Sequence, residues 1–86
     1  MQTIDKLGDY TLYKNAHGNW QINGPDTDIH LAVEKGLGDT ESVVTVKLSE
    51  MGPIGFADAA DFGQELIRAS QAAAYFNAVV NLHERD

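Results

Sequence analysis

Asp26, Asp28 and His30 are the residues whose types and spacing come nearest to a reactive centre. In an extended chain, positions i, i+2 and i+4 project to one side, so two carboxylates and an imidazole would converge toward one divalent ion. The same geometry weakens the idea. Neighbours on one strand face lie roughly 7 Å apart, too far for all three to reach one ion without a turn. Gly24 and Pro25 place the start of the run in a turn, where Asp is favoured for backbone reasons alone. No metal is assigned, and the three residues stand as candidate contacts for a partner. Tyr13 and Trp20 join them, because tyrosine and tryptophan bring large contact area at low entropic cost. The competing reading is that these aromatics pair across strands within a sheet.

Other chemistry-bearing residues point no further. Ser42, Ser49 and Ser70 lack a Gly-x-Ser-x-Gly setting, and the chain has no cysteine to act as nucleophile, zinc ligand or disulfide partner. Gly36-Leu37-Gly38 lacks the third glycine, the following lysine and the helix N-terminus of a phosphate loop, and reads as a hairpin turn. His17 lies in a turn-like segment. His83 and Arg85 are cations near a helix C-terminus, where the dipole favours them. No catalytic residue and no cofactor are expected, and the chain reads as something other than an enzyme.

The elements that must position these residues follow from periodicity. Tyr10 to Lys14 alternates with β-favouring types and ends at Asn15-Ala16-His17-Gly18-Asn19, a reversal signal; Trp20 to Ile22 resumes the strand and closes at Asn23-Gly24-Pro25-Asp26. With Tyr10 and Leu12 facing the core, Thr11 and Tyr13 project to the other face. Ile29, Leu31 and Val33 alternate with His30, Ala32 and Glu34, which favours a strand, although a short helix capped by Asp26 or Asp28 competes over Asp26 to Lys35. The turn Gly36-Leu37-Gly38-Asp39 would cut such a helix short. Val44, Val46 and Leu48 define the clearest strand of the chain.

Met51 to Gly55 is a connection, and Asp58 is placed to cap the helix that follows. Phe62, Leu66, Ala69, Ala73, Phe76, Val80 and His83 recur at intervals of four and three, forming one helical stripe. Glu65, Arg68 and Gln71 are assigned to the opposite side, and Gly63 predicts a close backbone contact. The expected fold is α+β: a four-stranded antiparallel β-meander, packed on one face by a long C-terminal α-helix. The helix buries Ile29, Leu31, Val33, Val44, Val46 and Leu48.

With 86 residues the chain supports one domain, 1–86, with a thin core. Hydrophobic content of 43% against 22% charged residues argues against a disordered chain. Met1 to Leu7 is largely polar, with one Asp and one Lys and no apolar run, unlike a signal peptide, and no apolar run of the chain approaches a membrane span, so a soluble cytoplasmic protein is expected. Thirteen Asp and Glu against six Lys and Arg give a net charge of −7, which disfavours direct binding to nucleic acid or anionic membranes.

Val44 to Ser49, Asp58 to Phe62 and Leu66 to Ala74 together resemble small orphan proteins of actinobacteria and their phages, which place a β-segment before an alanine-rich helix. The likeness covers the C-terminal half and rests on composition and order. It implies a small accessory protein and brings no catalytic residues with it.

Three functions are compatible with these features. The first is a non-enzymatic protein-interaction module, in the phage setting a modulator of a host protein. The second is an acidic nucleic-acid mimic, with Asp26, Asp28, Asp39, Glu41 and Glu50 standing in for phosphates in a DNA-binding groove. The third is a homodimer formed through an edge strand or an exposed helix flank.

Overall fold

The structure is a computed structural model that describes residues 2–35, 41–50 and 52–85. Among the described residues five strands precede one helix: β1 (Gln2–Leu7), β2 (Tyr10–Lys14), β3 (Trp20–Asn23), β4 (Ile29–Glu34), β5 (Val43–Leu48) and α1 (Phe56–Arg85). The α+β class with antiparallel strands and a long C-terminal helix is as expected. Two details differ: there is an extra strand, and the strands form two sheets, β1-β2-β3 and β4-β5.

The extra strand, β1, carries two strongly apolar residues, Ile4 and Leu7, three positions apart among charged and polar neighbours, so its sequence has no alternating buried-face pattern. Pairing with β2 creates it. Gly8, at φ 59°, is the first residue of a two-residue loop joining Leu7 to Tyr10, the type II′ arrangement that matches strand twist. A register shift between Thr3 and Asp5 leaves Ile4 without a partner, and Ile4 packs against the core. Charges and a bulge on an outer strand also discourage edge-to-edge association.

The β2–β3 hairpin turns on Asn15. Its side-chain oxygen accepts the amides of His17 (2.9 Å) and Asn19 (3.1 Å), and its carbonyl accepts that of Gly18, at φ 77°. The ladder then stops. Pro25 has no amide to donate, and the Asp26 carboxylate accepts the Asp28 amide at 2.7 Å, so the backbone turns out of the sheet. β3 and β4 lie against each other without a hydrogen-bonded ladder. Residues 29–34 form a strand, as preferred from the alternation. The expected turn Gly36–Asp39 lies outside the described residues.

Helix α1 starts one turn earlier than the acidic cap predicts. The Gly55 carbonyl accepts the Ala59 amide at 2.9 Å, which makes Gly55 the cap and puts Asp58 within the first turn, where its charge favours the helix dipole. The expected stripe is buried from Phe62 to Val80: Ala69, Ala73, Phe76 and Val80 lie in the core with Tyr10, Leu12, Trp20, Ile29 and Leu31, Phe62 and Leu66 pack at its border, and only its last member, His83, is exposed. Alanines at the centre let the helix approach the strands closely, while Phe76 and Leu12 fill the space around them. Leu48 is a correction. It is 51% exposed, at the end of β5 away from the docked part of the helix. Gly63 is a second. A side chain there would meet nothing within 4 Å, so the single chain makes no close approach at that point.

The helix packs chiefly on β5, then β4, with a smaller contact to β1. On β5 it meets the free edge. Alternate β5 residues turn their amides and carbonyls toward β4, as the Ser49 amide to the Asp28 carbonyl shows, and the residues between them face outward. Two of these outward groups meet α1 side chains. The Val44 amide donates to Asn77 Oδ1 at 2.7 Å, and Asn81 Nδ2 donates to the Ser42 carbonyl at 3.0 Å. Asn81 also donates to the Asn77 carbonyl one turn back, and is itself buried. At the same end Ser42 Oγ donates to Glu84 at 2.7 Å. At the other border the Tyr75 hydroxyl donates to Asp5 at 2.5 Å, which, with the Lys6 amide, holds the Asp5 carboxyl below its ordinary range.

Breaking this docking leaves buried backbone groups unpaired, so Asn77→Ala and Asn81→Ala should each destabilise the chain by about 1–3 kcal/mol in urea denaturation. Aspartate separates the two roles. It keeps the acceptor that position 77 needs and removes the donor that position 81 needs, so Asn77→Asp should cost less than Asn81→Asp.

Candidate functional site

An antiparallel meander brings its first and third turns to the same end. Here the β1–β2 turn and the β3–β4 turn meet the side of α1, and between them lies a cleft of about 830 Å³. Leu7, Asp9 and Tyr10 form one wall, Pro25 and Asp26 another, and Glu65, Arg68 and Gln71 the helical wall. The volume falls in the range of ligand sites in proteins.

Tyr10 is the residue at the base of the cleft. It is 6% exposed, and its hydroxyl is buried with no hydrogen-bond partner among the described residues. Its ring is held by contact with Gly24, where an added Cβ would lie 2.6 Å from Tyr10 Cε1. Position 24 therefore admits no side chain while the ring stays in place. Burial raises the phenol above its ordinary value; Glu65 and Asp26 push it further, Arg68 opposes them, and Asp9 adds to the rise. Three carboxylates thus face one cation across the cleft. That cation is engaged already, since the Arg68 guanidinium donates to Glu65. Asp9 is exposed, and Asp26 uses Oδ1 on the Asp28 amide, leaving its second oxygen free of described partners.

The residues singled out from the sequence are divided among three places. Asp26 lines the cleft, and Asp28 is half-buried in the same turn. His30 is exposed on the sheet face away from the helix, paired across strands with Lys47. Tyr13 is half-buried on that open side, opposite Gln21. Trp20 is corrected as a surface contact. It is 8% exposed on the helix-covered face, edge-on to His83 with ring centroids 5.9 Å apart and with Lys14 Nζ 4.6 Å from its centroid. The reason is register: Trp20 pairs with Lys14 and falls in phase with Leu12 and Ile22, which face the core. Among the described residues no group of three His, Asp or Glu side chains can hold a metal ion.

Of the proposed phosphate mimics, Asp26 and Asp28 share one turn. Glu41 is at the opposite end of β5, where it accepts from Arg85 at 2.6 Å, and Asp39 lies outside the described residues. Glu65, Arg68 and Gln71 are also placed differently from expectation: they flank the buried stripe on the cleft side. Their spacing at i, i+3 and i+6 marks a common side, but only the turns that close over them make it a wall.

No family model, no curated protein and no solved structure matches this chain. Among the described residues no helix is long and apolar enough to cross a membrane.

Tyr10→Phe removes a buried hydroxyl that has no partner, so it should leave stability unchanged or raise it by up to about 1 kcal/mol. The pH dependence has a definite sign. With the folded phenol raised above its ordinary value near 10, the unfolded chain ionises first. Stability is whole below that pH and declines as pH climbs past it toward the folded value. Thermal melts between neutral and alkaline pH should show a shallower decline for Tyr10→Phe than for the parent.

Proposed function

We propose that the chain is a non-enzymatic protein-interaction module whose cleft receives a basic side chain from its partner. The observation that carries this reading is the cleft over the buried Tyr10 ring, lined by the carboxylates of Asp9, Asp26 and Glu65 and by one cation, Arg68, which Glu65 already engages. The charges select the ligand's sign. Leu7, Pro25 and the Tyr10 ring offer an apolar path for an aliphatic stem, and the carboxylates beyond it receive an ammonium or guanidinium head. Lysine and arginine combine those two parts. The net charge of −7 adds long-range attraction for a basic partner.

The reaction chemistry of these groups supports binding over catalysis. The cleft pairs no nucleophile with a base, and Glu65 is committed to Arg68.

Calorimetric titration with capped peptides tests the reading. A peptide carrying one lysine or arginine between apolar residues should bind saturably, and more weakly as salt rises. Its glutamate counterpart should not bind. Asp26→Asn keeps Oδ1 for the Asp28 amide and removes the charge, so the fold stays and affinity should fall about tenfold, the effect of one charge-assisted hydrogen bond. Equal binding of the acidic peptide, or affinity indifferent to Asp26→Asn, would overturn the proposal.

A further inference from the structure

The outer face of α1 is arranged the wrong way round for a helix that meets only water. With 3.6 residues per turn, Asp58, Glu65 and His83 fall on the side of Phe76, and Asp61, Arg68 and Glu84 flank that side. The opposite stripe runs through Phe56, Gly63, Ile67, Ala74 and Ala78, with Leu82 beside it, and carries no charge until Arg85 at its end. A surface helix ordinarily places its charges on this side. Three large apolar groups of the stripe stand in solvent: Phe56 is 93% exposed, Ile67 60% and Leu82 63%. Phe56 projects from the first turns of the helix, which are exposed all round, clear of the sheets.

The same stripe holds a receptacle at its far end. A groove of about 390 Å³ is lined by Glu41, Asn77, Ala78, Asn81, Leu82 and Arg85. We infer that this face is a two-fold interface between two copies of the chain, with the helices antiparallel and Phe56 of each copy seated in that groove of the other.

The self-complementarity of the face identifies the occupant. A two-fold axis near Ser70 places the N-terminal end of one helix against the C-terminal end of its mate, so knob meets groove twice. It sets Ile67 near Ala74, and Gly63 near Ala78, where small residues let the helices come close. Gly63, at which the single chain leaves open space, acquires a use. Phe56 arrives beside Arg85, whose guanidinium can lie over the ring. Two chains of charge −7 repel over most of their surface; this stripe carries no carboxylate of its own, and the one that lines its groove, Glu41, is paired with Arg85. A parallel pair would set Phe56 against Phe56 and leave both grooves empty.

Sedimentation of the full chain should show a concentration-dependent dimer. Phe56→Asp and Ile67→Glu should each raise its dissociation constant about tenfold or more while the circular dichroism of the fold is kept. Orientation is read by disulfide trapping, which is unambiguous because the chain has no cysteine of its own. Ser70→Cys should oxidise to a covalent dimer by itself. Phe56→Cys and Arg85→Cys should each fail alone and form a mixed dimer together. A monomer at all concentrations, a dimer indifferent to both charge insertions, or self-coupling of Phe56→Cys equal to that of Ser70→Cys would overturn the inference. The peptide titration concerns a different face, so either result can fail without the other.

Discussion

The docking of α1 onto the free edge of β5 governs much of the rest of the structure. A strand edge presents unpaired amides and carbonyls, and a helix side chain seldom meets them in register. Asn77 and Asn81 do so because the rise over one helical turn, about 5.4 Å, suits groups two residues apart on a strand. Asn77 accepts from the Val44 amide, and Asn81 donates to the Ser42 carbonyl. This pair fixes the rotation of the helix about its axis. Once that is set, Phe76 and Val80 point into the core, Tyr75 reaches Asp5 on the far sheet, and Glu84 reaches Ser42. The two sheets share no hydrogen-bonded ladder, so the helix that contacts both is a principal tie between them.

The same rotation defines the two surfaces on which functional readings rest. It turns Glu65, Arg68 and Gln71 toward the β1–β2 and β3–β4 turns, closing the cleft above Tyr10. It leaves Phe56, Ile67 and Leu82 facing away from the sheets. Both surfaces depart from what a free-standing domain of this size would select for stability alone. One keeps a buried hydroxyl without a partner, and the other keeps apolar groups in water where charges would be more soluble. The exposed ion pairs, Lys47–Glu34 and Arg85–Glu41 among them, contribute little by comparison.

Alternation along Tyr10–Lys14, Ile29–Glu34 and Val43–Leu48 made those strands legible, since a half-buried strand must repeat every two residues. The stripe from Phe62 to Val80 made the helix legible for the corresponding reason at 3.6. β1 was not, because it carries too few apolar residues to show a period and exists through its pairing with β2. Trp20 was read as a surface residue because a four-residue strand is too short to establish phase, and its pairing with Lys14 decides which way it faces. Of the cleft, Asp26 was legible as a turn carboxylate. Tyr10 was legible only as core, and nothing local says that its hydroxyl lacks a partner.

The sequence by itself determined the α+β class, the single long C-terminal helix with its buried stripe, the acidic charge and the absence of cysteine chemistry. These are local or compositional properties, settled by periodicity and counting. Tertiary structure alone decided that the strands divide into two sheets, that two asparagines close the edge of β5, and that two turns and a helix flank enclose Tyr10. Each depends on groups distant in the chain meeting within hydrogen-bond or contact distance, a separation that no local pattern records.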